Sequence, residues 1–193
     1  LLGLYRDGKV LEHDKDIDYI CPMAQFEMLK TIIKDMGNTE TKSQGYSNFA
    51  SFRNAESGLV IDLCGFENEG DFSYTGFFKE GDDNWSFRQR FKKFRFGKQT
   101  PLGPNRMVSS IYEPENVLEA LYGSDWMKPD PNWIPFIMDY SAEETEAYKY
   151  LTILQLLKIW SSGDLAKAKI AVGIVEKRYP FDPIISIAAQ SLL

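Results

Sequence analysis

The chain has 193 residues, enough for one domain of ordinary size with a short appendage, and its apolar fraction of 44% suits a packed core. With 28 acidic against 22 basic residues the net charge is −6, which argues against a general nucleic-acid binder. Two cysteines (Cys21, Cys64) and one histidine (His13) exclude a zinc site built mainly from Cys and His, and also a disulfide framework. No apolar run is long enough to span a bilayer, and none reads as a signal peptide. The chain opens at Leu1 inside what reads as an element, so it is expected to be a piece of a larger protein.

Leu1–Arg6 reads as the tail of a helix and Asp7-Gly8-Lys9 as a turn. Then comes Glu12-His13-Asp14-Lys15-Asp16-Ile17-Asp18-Tyr19-Ile20, an acidic strand that Pro22 ends. Alternate residues of a strand share a face, so Asp16 and Asp18 stand together while Ile17 and Tyr19 turn away. Such close carboxylates repel unless a cation lies between them. Hard cations such as Mg²⁺ or Mn²⁺ suit this pattern, usually through one or two carboxylates plus substrate phosphates. The other reading is a solvated acidic edge strand.

Met23–Met36 has helical rhythm at Phe26, Leu29, Ile32 and Ile33, with Gly37 as its stop. Tyr46–Arg53 and Leu59–Phe66 read as two strands of a hairpin around Asn54–Gly58. Asp62 interrupts the apolar run Val60-Ile61-Asp62-Leu63. A carboxylate there must be paired, hydrogen-bonded, metal-bound or turned to water; the reading preferred here makes it a third acid beside Asp16 and Asp18. Cys64 shares a face with Asp62 and Cys21 faces away from Asp18; both read as small core residues.

Phe72–Phe78 reads as a strand and Gly81–Asn84 as a loop. Trp85–Lys98 is basic and aromatic with no acid, either an anion-binding lining or, more simply, one amphipathic element with packed Phe rings and wet charges. Pro101–Pro104 reads as irregular, Val117–Tyr122 as a short helix closed by Gly123, and Asp125–Trp133 as proline-punctuated irregular chain. From about residue 139 the pattern changes. Glu143–Ser161, with apolar Tyr150, Leu151, Leu154, Leu157 and Ile159, then Leu165–Tyr179, with Ala168, Ala171, Val172 and Val175 on one side, then Ile184–Leu193 read as three helices in a repeat-like grammar. The expected division is therefore 1–138 and 139–193. The helical segment either packs on the first domain or meets further repeats or a protein partner.

Three separated stretches in order resemble the LicD/fukutin family: Leu1–Lys9 with His13–Tyr19, then Val60–Leu63, then Leu121–Trp133. The resemblance covers residues 1–133. His13 and Cys64-Gly65 depart from the family pattern, which often has an aromatic residue at the first and a bulky residue with proline at the second. The resemblance implies an α+β fold of the nucleotidyltransferase superfamily, a mixed sheet flanked by helices, here followed by a TPR-like helical hairpin. It implies a metal-dependent enzyme that moves a phospho-alcohol of the phosphocholine, ribitol phosphate or glycerol phosphate type from a CDP-linked donor onto a glycan or polysaccharide.

Carried onto this chain, the family pattern makes Gly3 the glycine of the helix motif and Asp16, Asp18 and Asp62 the catalytic and metal-holding acids. Asp62 would help hold a second ion or accept the acceptor hydroxyl's proton. Arg6, Lys9 and Arg53, with Lys15, are candidates for phosphate contact; Asp14 is a candidate outer partner and His13 a candidate base. Scarce cysteines favour a bacterial cytoplasm over a Golgi lumen. Two alternatives use the same residues differently: a nucleotidyltransferase acting on a protein, small molecule or RNA, or a binding platform without catalysis.

Overall fold

A computed structural model describes residues 1–11, 16–42, 46–78, 86–102 and 105–192. His13, Asp14, Lys15, Trp85 and the loop 81–84 lie outside the described residues. The fold is α+β. A short helix α1 (Leu2–Arg6) precedes strand β1 (Asp16–Pro22), a 3-10 turn (Met23–Gln25) and helix α2 (Phe26–Asp35). Strands β2 (Asn38–Lys42), β3 (Phe49–Asn54), β4 (Val60–Glu69), β5 (Phe72–Phe77) and β6 (Phe87–Lys92) follow, then the hairpin β7 (Phe96–Pro101) and β8 (Met107–Ile111). Helices α3 (Pro114–Tyr122), α4 (Glu146–Ser161), α5 (Leu165–Arg178) and α6 (Pro183–Leu192) complete the chain.

Strand β4 is the axis of the mixed main sheet. Its first half pairs in parallel with β1 and antiparallel with β3, and its second half turns to β5, which carries β6. The Asn54–Gly58 turn closes the β3–β4 hairpin as its residues predict: Asn54 Oδ1 accepts from the backbone of Glu56 and Ser57, and Gly58 sits at φ +71°. The change of partner along β4 is fixed by Asn48, which is fully buried. Its Nδ2 donates to the carbonyls of Gly65 and Gly76, and its Oδ1 accepts from Phe78 N–H.

One face of the sheet packs on α2, where Phe26 and Ile33 meet Cys21, Ala50, Phe52 and Leu63. Gly65 lets this layer close up: a Cβ there would stand 2.7 Å from Met23 Sδ and 3.3 Å from a Phe26 ring carbon. That requirement accounts for the glycine where the family resemblance calls for a bulkier pair. At the far end, Phe66, Phe91 and Phe94 cluster with Ile111 of β8 and Val117 of α3.

Three expectations need correction. Strand β2 was unread because Asn38-Thr39-Glu40-Thr41-Lys42 is wholly polar; it is held by pairing to β3 and by a Lys34–Glu40 ion pair. The described part of the basic stretch, 86–98, runs through two strands rather than one element: β6 ends at Lys92, and β7 pairs with β8 through Pro101, which an outer strand tolerates. Of the apolar residues read on α4, Ile159 is in the core and Leu151 is half-buried, but the rest are not. Tyr148, Thr152, Ile153, Leu156 and Ile159 are buried, while Tyr150, Leu154 and Leu157 are exposed. The α5 stripe at Ala168, Ala171, Val172 and Val175 is buried as read.

The helices share a core with the irregular segment before them, since Ile134 and Ile137 cluster with Leu156, Val172 and Ile185. They are stitched to the sheet at β6. Arg90 N–H donates to Ser141 O, Glu143 N–H to Arg88 O, and Thr145, the cap of α4, donates from Oγ1 to Ser86 O. Among the described residues no helix is long and apolar enough to cross a membrane.

Candidate functional site

The register of β1 against β4 places Asp18 directly beside Asp62, with Asp16 beside Val60. Neighbouring strands lie about 4.8 Å apart and in-register residues point to the same face. Ser51 of β3 pairs with Asp62 from the other side, and Arg53 with Val60. Asp16, Asp18, Asp62, Ser51 and Arg53 therefore share the face opposite α2. Asp16 and Asp18 are exposed on the outer strand, whereas Asp62 is half-buried in the sheet's interior. Among the described residues, no group of three or more His, Cys, Asp or Glu side chains converges closely enough to hold a metal. The register thus gives a close pair, Asp18 and Asp62, with Asp16 one step along the same face.

Asp62 carries the anomaly of this site. Its Oδ1 is buried and has no hydrogen-bond partner among the described residues. An unpaired buried carboxylate oxygen costs several kcal/mol, roughly, unless something arrives to satisfy it. Next to it, burial, with Asp18 and Asp62 adding negative charge, pushes the Cys64 thiol up to about 12, and burial alone raises Cys21 to about 11. Both are unpaired, uncharged thiols near neutrality and serve as core residues.

Asp62 lines a cavity of about 460 Å³. Tyr46, Phe49, Ser51, Phe77 and Phe87 form its sheet side, and Ala147, Tyr150, Leu151 and Leu154 of α4 form the wall across from them. The rings brace one another: Phe49 meets Phe77 edge-on at 4.9 Å, and Phe87 lies 5.6 Å from Phe77 and 5.8 Å from Tyr148. The apolar residues of α4 left out of the helical core thus have a place over the acid face. Sequence reading missed this cavity. Its one signal was an α4 apolar on more sides than a single buried stripe needs.

Gly3, Arg6 and Arg53 among the remaining candidates have structural occupations. Gly3 is buried where the chain folds back, its carbonyl accepting from Asp7 and Lys9 N–H. A Cβ on Gly3 would stand 2.6 Å from Lys9 O and 2.8 Å from Leu11 Cγ. Gly3→Ala is therefore expected to cost about 1–3 kcal/mol, read as a lower midpoint in urea unfolding; an unchanged midpoint would show that this close approach is dispensable. Arg6 is engaged by Asp7 through two bonds of 3.0 Å, which hold the Asp7 carboxyl below its usual range. Lys9 is exposed in the turn after α1. Arg53 donates to Gly58 O at 3.2 Å across its own hairpin. The α1 segment is anchored to the β7–β8 hairpin by Tyr5 Oη, within 3.2 Å of Ser110 Oγ and Ile111 O.

The oxygens of Asp18 and Asp62 are hard donors, and two carboxylates with a substrate phosphate suit Mg²⁺ or Mn²⁺. The orphaned Asp62 oxygen fits a site completed by a ligand. No family model and no curated protein matches this chain.

Proposed function

We propose that this chain is a metal-dependent phosphotransferase that moves a phospho-alcohol from a CDP-linked donor onto a glycan hydroxyl. The observation that carries the proposal is the in-register pair Asp18 and Asp62 at a cavity, with a buried Asp62 oxygen left unsatisfied. The parallel β1–β4 pair inside an otherwise antiparallel sheet agrees with a nucleotidyltransferase-like fold, and the helices after residue 139 with a TPR-like hairpin.

In this reading Asp18 and Asp62 would hold Mg²⁺ or Mn²⁺, with Asp16 in reserve on the same face, a cation that would offset the charge of the donor's phosphates. Arg53, on that face, approaches the same charge. The cavity holds the acceptor with its hydroxyl on Asp62. As the acceptor oxygen bonds to phosphorus, its proton passes to Asp62; the bond from phosphorus to the CMP oxygen breaks, and CMP leaves with the electron pair. Positioning and charge neutralisation dominate such transfers. The two thiols, Cys21 and Cys64, suit a bacterial cytoplasm.

The test is incubation with CDP-choline, CDP-ribitol or CDP-glycerol and Mg²⁺. Release of CMP with the phospho-alcohol joined to a glycan is the expected result. Transfer of CMP itself, or no turnover of any donor by the intact protein, would overturn the reading.

A further inference from the structure

The cavity beside Asp62 has two walls of different origin. The sheet supplies aromatic rings and the acid, while α4, from the helical segment, supplies Ala147, Tyr150, Leu151 and Leu154. Its size lies within the range of about 300–1,000 Å³ common for small-molecule sites, and its make-up of apolar walls with few polar groups is typical of them. Among the described residues lining it, Asp62 is the one charged group and none is a lysine or arginine. Among these residues a phosphate has nothing to pair with, and the carboxylate repels it.

Where an ion takes one oxygen of the Asp62 carboxylate, the buried Oδ1 calls for a hydrogen-bond donor. A quaternary ammonium group would suit the rings but has no N–H to offer that oxygen. A neutral sugar ring offers both: C–H faces to lie against Phe49, Phe77 and Tyr150, and a hydroxyl to donate to Asp62.

We infer that this cavity is the acceptor subsite, that it takes an uncharged pyranose, and that the α4 wall determines which pyranose fits. The inference rests on the phosphotransfer reading for what the bound hydroxyl does next. It makes Tyr150, Leu151 and Leu154 specificity-determining residues and makes the helical segment part of the site. It also explains why α4 keeps large apolar side chains outside the helical core: Tyr150 and Leu154 are 42% and 61% exposed.

The test is saturation-transfer NMR on the full chain with a panel of neutral methyl pyranosides, and with benzyltrimethylammonium as the cationic probe. At least one pyranoside should take up saturation at its ring protons, and Ala147→Trp and Leu154→Trp should weaken its binding by about tenfold or more. Leu154 lies at the exposed mouth, so its variant keeps the test valid if Ala147→Trp fails to fold. Mg²⁺-dependent release of CMP to water from the CDP-linked donors is measured on the same wild-type sample. Absence of binding by every pyranoside, binding indifferent to the α4 variants, or preference for the cation would overturn the inference. Failure of wild-type CMP release with pyranoside binding intact would remove the phosphotransfer reading and leave a sugar-binding cavity.

Discussion

Asp62→Asn is expected to lower the rate of phospho-alcohol transfer by on the order of 10²–10⁴ while leaving the folded state as stable as before or more so. The two outcomes come from the same oxygen. Asn has the shape of Asp but no charge, so under the proposed function the variant loses the group that would receive the acceptor's proton and share a cation with Asp18, its neighbour in register. It also removes an unpaired charge from a half-buried position, and relief of that burden favours folding. Asp18→Asn should show a comparable loss, since under the proposed function both acids would hold one ion. Rate assays and thermal melts on the same preparations check this. Near-full activity in either variant would exclude the metal role, and a large fall in melting temperature for Asp62→Asn would make the acid structural.

The largest effect on stability is expected at Asn48. Truncation to Ala removes both donors and the acceptor of a fully buried side chain, leaving Gly76 O and Phe78 N–H without that partner. Gly65 O retains the Thr75 hydroxyl at 3.0 Å. At about 1–3 kcal/mol for each of the two groups left unsatisfied, the cost is about 2–6 kcal/mol. In a chain of this size that lowers the melting temperature by roughly 10 °C. Calorimetry on Asn48→Ala measures it. A shift of only about 1 °C would mean that β4 changes partners without this side chain.

Much of the acid face was legible because strands have a fixed period. Asp16 and Asp18 had to share a face, Asp62 stood out inside Val-Ile-Asp-Leu, and the turn chemistry of Asn54–Gly58 fixed the hairpin that presents it. The α2 and α5 stripes were legible for the same reason in helical period. Other features had no local signal. Strand β2 is polar along its length, and only its partner β3 makes it a strand. Asn48 falls inside the stretch read as a strand with nothing local to mark it; its value comes from three backbone groups 17 to 30 residues away. The cavity needed two distant stretches to meet, Tyr46–Phe87 and Ala147–Leu154, and no pattern in either announces the other. For Gly3 and Arg6 the resemblance suggested substrate contact, while the fold gives each a structural occupation, a tight chain reversal and an ion pair.

The shared cation is the claim on which the rest depends, and anomalous scattering from a crystal grown with Mn²⁺ and a CDP-linked donor tests it most directly. The predicted result is a peak within about 2.0–2.3 Å of one carboxylate oxygen from each of Asp18 and Asp62, with donor phosphate oxygens completing the shell. Manganese bound elsewhere, or a carboxylate pair that remains empty with the donor present, would contradict it.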